Sequence, residues 1–180
     1  MPVTTEIPRA HPINDVRIQR PSTADGGEMW RIAWRSTSLD LNSSYAYLLY
    51  CRDFPDTCRL AYANGEPAGF LLGYRRPENP ETLFVWQVAV DESARGRQLA
   101  SRMLDDLVQD LAASDVPVRH VETTITEDNT ASQQLFRSFA RRWGDADVET
   151  AELFSAAHFP DDHAGEVLYS IGPIDLPSPN

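Results

Sequence analysis

The stretch from Val90 to Met103, read as Asp91-Glu92-Ser93-Ala94-Arg95-Gly96-Arg97-Gln98-Leu99-Ala100-Ser101 at its centre, brackets a glycine with two arginines between an apolar run and an amphipathic one. The first N–H groups of a helix have no intrahelical partner, and the helix dipole adds positive charge there, so such a junction suits phosphate. Gly96 lets the backbone approach a ligand closely, and Arg95 and Arg97 carry charge that does not titrate away. The chemistry is therefore anion binding. A Walker loop is excluded because the chain has no lysine, and this junction lacks the Gly-x-Gly of a dinucleotide fingerprint. Taken alone, the same residues also read as a solvated basic helix start.

The elements that must position this junction are legible as patterns. Residues 82–90 form a near-continuous β-branched and aromatic run, expected as a central strand buried on both faces. A helix is expected from near Ala94, with Leu99, Met103, Leu104, Leu107, Val108 and Leu111 on one stripe. Strand 118–125 and helix 128–139 follow, then strands 148–155 and 165–172. Upstream, 16–21 reads as a strand, 25–37 and 42–54 as helices, the second capped by Asn42 or Ser43. Asn64-Gly65 between two β-rich runs predicts a hairpin over 57–76. The order implies a mixed α/β sheet with one β-α-β unit, in a single domain over 15–174, with 1–14 and 175–180 as tails.

Composition narrows the partners. The chain has 180 residues and a net charge of -11, and each of its 16 basic residues is arginine. Without lysine, Schiff-base chemistry on that residue is excluded. The acidic balance argues against nucleic acid and anionic membranes and favours a cationic substrate. No apolar run approaches bilayer length and no signal peptide is visible, so a cytoplasmic protein is expected. Cys51 and Cys58 are expected as buried, inert thiols, and no metal site is expected.

The blocks Val85-Trp86-Gln87-Val88-Ala89-Val90 through Leu104 and Glu127-Asp128-Asn129 through Phe139 together resemble the GNAT superfamily of acetyl-CoA-dependent N-acetyltransferases. That resemblance implies a mostly antiparallel mixed sheet flanked by helices, with coenzyme A bound at the strand-to-helix turn. The family pattern falls on Arg95, Gly96, Arg97, Gln98, Leu99 and Ala100, with Gln98 where the family usually has glycine. Backbone N–H groups from Arg97 to Ser101 would cradle the pyrophosphate. The pantetheine would lie along the strand at Val88, Ala89 and Val90, and a bulge there would aim an N–H at the thioester carbonyl. Asn129, Ser132 and Phe136 of the later helix complete the implied coenzyme site. Phe136 stands where many members have a tyrosine acid, and Trp86-Gln87 where many have a glutamate base.

A closer resemblance, carried by residues 39–61, 84–100 and 161–169, is to the L-2,4-diaminobutyrate acetyltransferases of ectoine biosynthesis. It implies acetylation of the γ-amine of that diamino acid by direct attack in a ternary complex, and a homodimer. It places Asp40, Tyr45, Trp86, His163 and Glu166 around the substrate, with Glu166, His163 and Asp40 as the catalytic group. Two anions, a hydroxyl, an imidazole and an aromatic face suit a substrate with two ammonium groups. Glu166 and His163 both qualify as the base that frees the amine. The alternatives are another small-amine or aminoglycoside acetyltransferase, or a silent acetyl-CoA-binding module.

Overall fold

A computed structural model describes residues 15–36 and 39–175. The expected tails lie outside the described residues, except Asp175, whose N–H donates to the Trp143 carbonyl at 3.2 Å. The chain runs β1 (Val16–Gln19), α1 (Gly26–Arg35), α2 (Ser44–Asp53), β2 (Arg59–Ala63), β3 (Glu66–Arg76) and β4 (Asn79–Val90). It continues with α3 (Leu99–Ala112), β5 (His120–Ile125), α4 (Thr130–Arg142), β6 (Val148–Phe154) and β7 (Glu166–Ile171). Among the described residues the strands form one sheet in the order β1-β2-β3-β4-β5-β7-β6. Only the β4–β5 pair is parallel, as a crossover through α3 demands. No helix among the described residues is long and apolar enough to cross a membrane.

Two apolar layers hold helices on opposite faces. The α3 stripe of Met103, Leu104, Leu107, Val108 and Leu111 packs with Phe136 and Phe139 of α4 on one face. Met29, Ile32, Tyr47 and Cys51 of α1 and α2 pack with Leu60, Phe70 and Leu72 on the other. Each fully buried aliphatic side chain contributes about 1.5–3 kcal/mol. The β2–β3 turn has left-handed backbone at both Asn64 (φ 53°) and Gly65 (φ 84°), the two-residue hairpin turn that its dipeptide predicts. Arg59, its side chain only 3% exposed, binds Asp106 at 2.5 Å and Asp110 at 2.6 Å, which ties β2 to α3.

Two features of β4 and α3 differ from the sequence expectation. The first is the continuous burial of β4, which the bulge implied by the family resemblance interrupts: Leu72 pairs with Gln87 and Gly73 with Val85, so Trp86 is the extra residue. The parity of β4 changes there. Leu83 and Val85 face the α3 layer before the bulge, Val88 and Val90 after it, while Ala89 faces the α1–α2 layer. The unbroken apolar run is thus two half-strands of opposite phase, and Trp86 itself stays 36% exposed rather than buried. A Cβ on Gly73 would lie 2.7 Å from the Phe84 carbonyl oxygen, so glycine is what lets β3 pass close beside the bulge.

The second difference is the start of α3. Ala94 ends a short 3-10 turn (Glu92–Ala94), and the helix begins only at Leu99. Arg95 to Gln98 form the loop between them. Pairing of β4 with β5 covers only Thr82–Val85 against His120–Thr123. Beyond it β5 continues to Ile125 against β7, so the sheet opens between β4 and β5. This opening holds the site.

Candidate active site

The anion-binding loop sits at one end of the opening. Gln98 is the N-cap residue of α3 and is left-handed, with φ 57°. That conformation explains why a glycine is usual at this place; glutamine holds it at a cost of about 1–2 kcal/mol. Gly96 is also left-handed, with φ 76°. The first bond into the helix runs from the Arg102 N–H to the Gln98 carbonyl at 2.9 Å. The N–H groups of Leu99, Ala100 and Ser101 therefore precede any intrahelical partner and are available to an anion. Arg95 is exposed beside them and Arg97 half-buried.

From there the opening runs past the unpaired half of β4 into a cavity of about 610 Å³. One wall carries Val88 of β4 with Asn129, Ser132 and Phe136 of α4. Asn129 caps α4, its Oδ1 accepting the Ser132 N–H at 3.1 Å. The cap uses only the amide oxygen, so the NH2 end can donate to a ligand from the same residue. Phe136 is buried and brings no hydroxyl. Aromatic rings also line the cavity: Trp86 stacks on Tyr50 at 5.2 Å, and Tyr74 meets Phe84 at 5.2 Å. Burial pushes the Tyr50 phenol up to about 12, so it stays protonated and is no base.

A charged group closes the far end. His163 Nε2 lies 2.9 Å from Asp40 Oδ2 and 3.7 Å from Glu166 Oε1. Its Nδ1 lies 2.6 Å from the Ala164 carbonyl oxygen, which can only accept. Both ring nitrogens thus face acceptors, an arrangement that favours the doubly protonated imidazolium. Its pKa is raised, first by the Ala164 carbonyl and then by Asp40 and Glu166, against the opposing effect of burial. Phe159 stacks on the ring at 4.2 Å. Glu166 is half-buried, but its Oε2 is out of contact with solvent and has no hydrogen-bond partner. Burial raises its carboxyl pKa, Thr124 and His163 oppose this, and Asp40 adds to it.

Asp40, Trp86, His163 and Glu166 all border this one cavity, as do Val88, Asn129, Ser132 and Phe136. Tyr45 does not: it lies on the outer face of α2, 65% exposed. The sequence reading missed Tyr50, Thr124, Phe159 and, above all, Gln87, which appeared there only in place of a family glutamate. Phe159 and His163 carried a faint signal in their spacing of four; the others depended on partners far along the chain. Cys51 and Cys58 are buried and free, with burial pushing their thiols to about 11 and about 12. Neither offers a thiolate for an acetyl-cysteine intermediate. Among the described residues no group of side chains could hold a metal ion.

Residues 26–140 match the acetyltransferase (GNAT) family. An L-2,4-diaminobutyric acid acetyltransferase of Streptomyces avermitilis is 55% identical over 161 residues, covering 88% of this chain and 89% of that one. The corresponding protein of Marinococcus halophilus is 41% identical over 163 residues, covering 90% and 92%. Among solved structures, the diaminobutyrate acetyltransferase of Paenibacillus lautus, in complex with L-2,4-diaminobutyric acid and coenzyme A, superposes with a TM-score of 0.81. It is 39% identical, and the match covers 88% of this chain and 95% of that one. Ard1 of Thermoplasma volcanium, at 17% identity and a TM-score of 0.70, shares the fold alone.

Proposed function

The chain belongs to the GNAT acetyltransferase family, and from that premise we infer that it transfers the acetyl group of acetyl-CoA to the 4-amino group of L-2,4-diaminobutyrate. The product is N4-acetyl-L-2,4-diaminobutyrate, an early intermediate of ectoine biosynthesis. One observation carries the substrate reading: a buried, unpartnered Glu166 oxygen beside an imidazolium and a second carboxylate, all bordering the cavity between β4 and β5.

The charges complement each other. Asp40, Glu166 and the His163 imidazolium sum to minus one, and diaminobutyrate, with two ammonium groups and one carboxylate, to plus one. Among the residues lining the cavity His163 is the one that carries positive charge, so it attracts the substrate carboxylate through its charge while its two ring nitrogens stay with Asp40 and the Ala164 carbonyl. Asp40 and Glu166 take the ammonium groups, and the Trp86 and Tyr50 rings flank them. Tyr45, on the outer face of α2, is not part of this arrangement.

The coenzyme fits the rest of the opening. The loop from Arg95 through Ser101 receives the pyrophosphate. Main-chain groups of β4 that would have met β5 beyond Val85 receive the pantetheine, at Val88, Ala89 and Val90. The bulge at Trp86 turns an N–H toward the thioester carbonyl, where negative charge develops during attack.

An alkylamine of pKa ~10 is neutral in only about one molecule per thousand at pH 7, a deficit of roughly 4 kcal/mol. Glu166 offsets it by accepting the γ-ammonium proton; His163, with both nitrogens already donating, is poorly placed to do so. The freed amine attacks the thioester carbon, the C–S bond breaks, and coenzyme A leaves as a thiolate, which takes up the second proton that the new amide nitrogen sheds. With pKa ~8.5 such a thiolate leaves without needing a tyrosine acid, which accords with phenylalanine at position 136. The reading also includes a cytoplasmic homodimer. Trp34 and Leu48, exposed on α1 and α2, supply apolar surface for that contact. Sedimentation is expected to give twice the chain mass, and a monomer would remove the dimer from the reading.

The deciding test is thiol release from acetyl-CoA with L-2,4-diaminobutyrate beside ornithine, putrescine and a basic peptide, with the acetylated nitrogen mapped. The expected result is marked preference for diaminobutyrate and acetylation at N4. Preference for another amine would keep the coenzyme site and overturn the substrate. Acetyl-CoA binding without turnover on any amine would point instead to a silent binding module.

A further inference from the structure

We propose that Gln87, which borders the cavity, is the positioning residue for Asp40 and sets affinity for the diamine by holding that aspartate in place; the proposal rests on the role given to Asp40 above. Gln87 follows the bulge in β4, is 6% exposed, and faces the layer of α1 and α2. Its Nε2 donates to the Asp40 main-chain carbonyl at 3.1 Å. Its Oε1 accepts from the Tyr47 hydroxyl at 3.0 Å. The Asp40 carbonyl can only accept, which settles the orientation of the amide. Tyr47 is itself fixed in the core, 1% exposed and edge-on to Phe70 at 5.7 Å.

A buried amide costs free energy unless both of its ends are bonded, and an apolar side chain would suit the layer that holds Phe70, Leu72 and Met29 better. What the amide adds is direction. Asp40 belongs to neither helix nor strand, and its carboxylate is 84% exposed in the free protein. Two strong contacts hold it: Gln87 on its carbonyl and His163 on its carboxylate, with a longer one from Asn42 at 3.4 Å. The Gln87 contact connects that exposed carboxylate to the rigid sheet at the very bulge that aims the thioester donor. One irregularity in β4 thereby sets both the acyl group and the carboxylate that meets the amine.

The test is a double-mutant cycle with Gln87→Met, close to isosteric, and Asp40→Ala, reading kcat and KM for diaminobutyrate and for acetyl-CoA. Gln87→Met is expected to raise KM for diaminobutyrate tenfold or more, with kcat within about threefold of wild type and KM for acetyl-CoA unchanged. In the Asp40→Ala background the same change is expected to add nothing. A KM for diaminobutyrate that stays put in Gln87→Met, or losses that simply add in the double variant, would overturn the assignment. Tyr47→Phe, which removes only the hydroxyl anchoring the amide, is expected to move the same KM in the same direction by less. It replaces Gln87→Met in the cycle if that variant does not fold. The two readings fail separately: if the wild type prefers another amine, the substrate assignment falls, and the same cycle run with that amine still decides Gln87.

Discussion

Glu166→Gln is expected to lower turnover on diaminobutyrate by about 10²–10⁴-fold while acetyl-CoA binds as before. The substitution keeps the shape and removes the charge and the proton acceptor. The coenzyme loop at Arg95–Ser101 belongs to a different part of the opening, so its affinity is untouched. Glu166 has one oxygen near His163 and one buried without a partner, the arrangement of a group waiting for a donor. The wild-type pH profile carries the same signature. A base works only when ionised, and burial lifts the Glu166 pKa above the ordinary carboxylate range. Turnover therefore falls as pH drops through that raised pKa, at a higher pH than an exposed glutamate would give. The acid limb is expected to disappear in Glu166→Gln. Steady-state thiol release across pH, with calorimetry for acetyl-CoA, checks both parts. A wild-type rate in the variant would take Glu166 out of the reaction.

Arg97→Glu is expected to weaken acetyl-CoA binding about 10–100-fold at low salt. A unit charge near a protein surface interacts with another at contact by a few kcal/mol, and reversing the sign replaces attraction with repulsion, partly relieved by solvent. The local charge matters here because the chain as a whole carries a net charge of -11 and repels an anionic coenzyme. Attraction must come from the loop itself: the N–H groups leading into α3 and the guanidinium groups beside them. The half-buried Arg97 is expected to count for more than the exposed Arg95. The loss should shrink as ionic strength rises and the Debye length falls below ~10 Å. Calorimetry at two salt concentrations reads it directly, and an unchanged affinity at both would undo the phosphate assignment. KM for diaminobutyrate should stay within a few-fold, since Asp40 and Glu166, the carboxylates proposed to hold it, border the cavity and Arg97 does not.

These two residues were legible to different degrees. Arg97 and its loop stand in one short stretch whose meaning is local: a glycine, two arginines, an amphipathic stripe. The stripe from Leu99 to Leu111, the Asn64-Gly65 hairpin and the parallel unit of β4, α3 and β5 follow in the same way, from periodicity and turn chemistry. Even here the sequence misplaced the helix start, because Gln98 adopts a left-handed conformation that its residue type does not favour. Glu166 and Asp40 entered through family resemblance, since nothing in their neighbours marks them as a site.

What the sequence determined by itself is therefore the set of elements, the anion loop and the acidic, lysine-free character of the surface. Those depend on interactions between residues a few positions apart, where side-chain type and spacing are the cause. The tertiary structure decided the rest. It set the change of phase at Trp86, which requires β3 as a template, and the opening between β4 and β5, which requires β7 to draw β5 away. It brought His163 within 2.9 Å of Asp40 across 123 positions of chain, and made Gln87 a bridge between Tyr47 and that aspartate. It also turned Tyr45 outward. No local pattern encodes such contacts, because their strength comes from burial and direction that exist only once two hydrophobic layers have closed on the sheet.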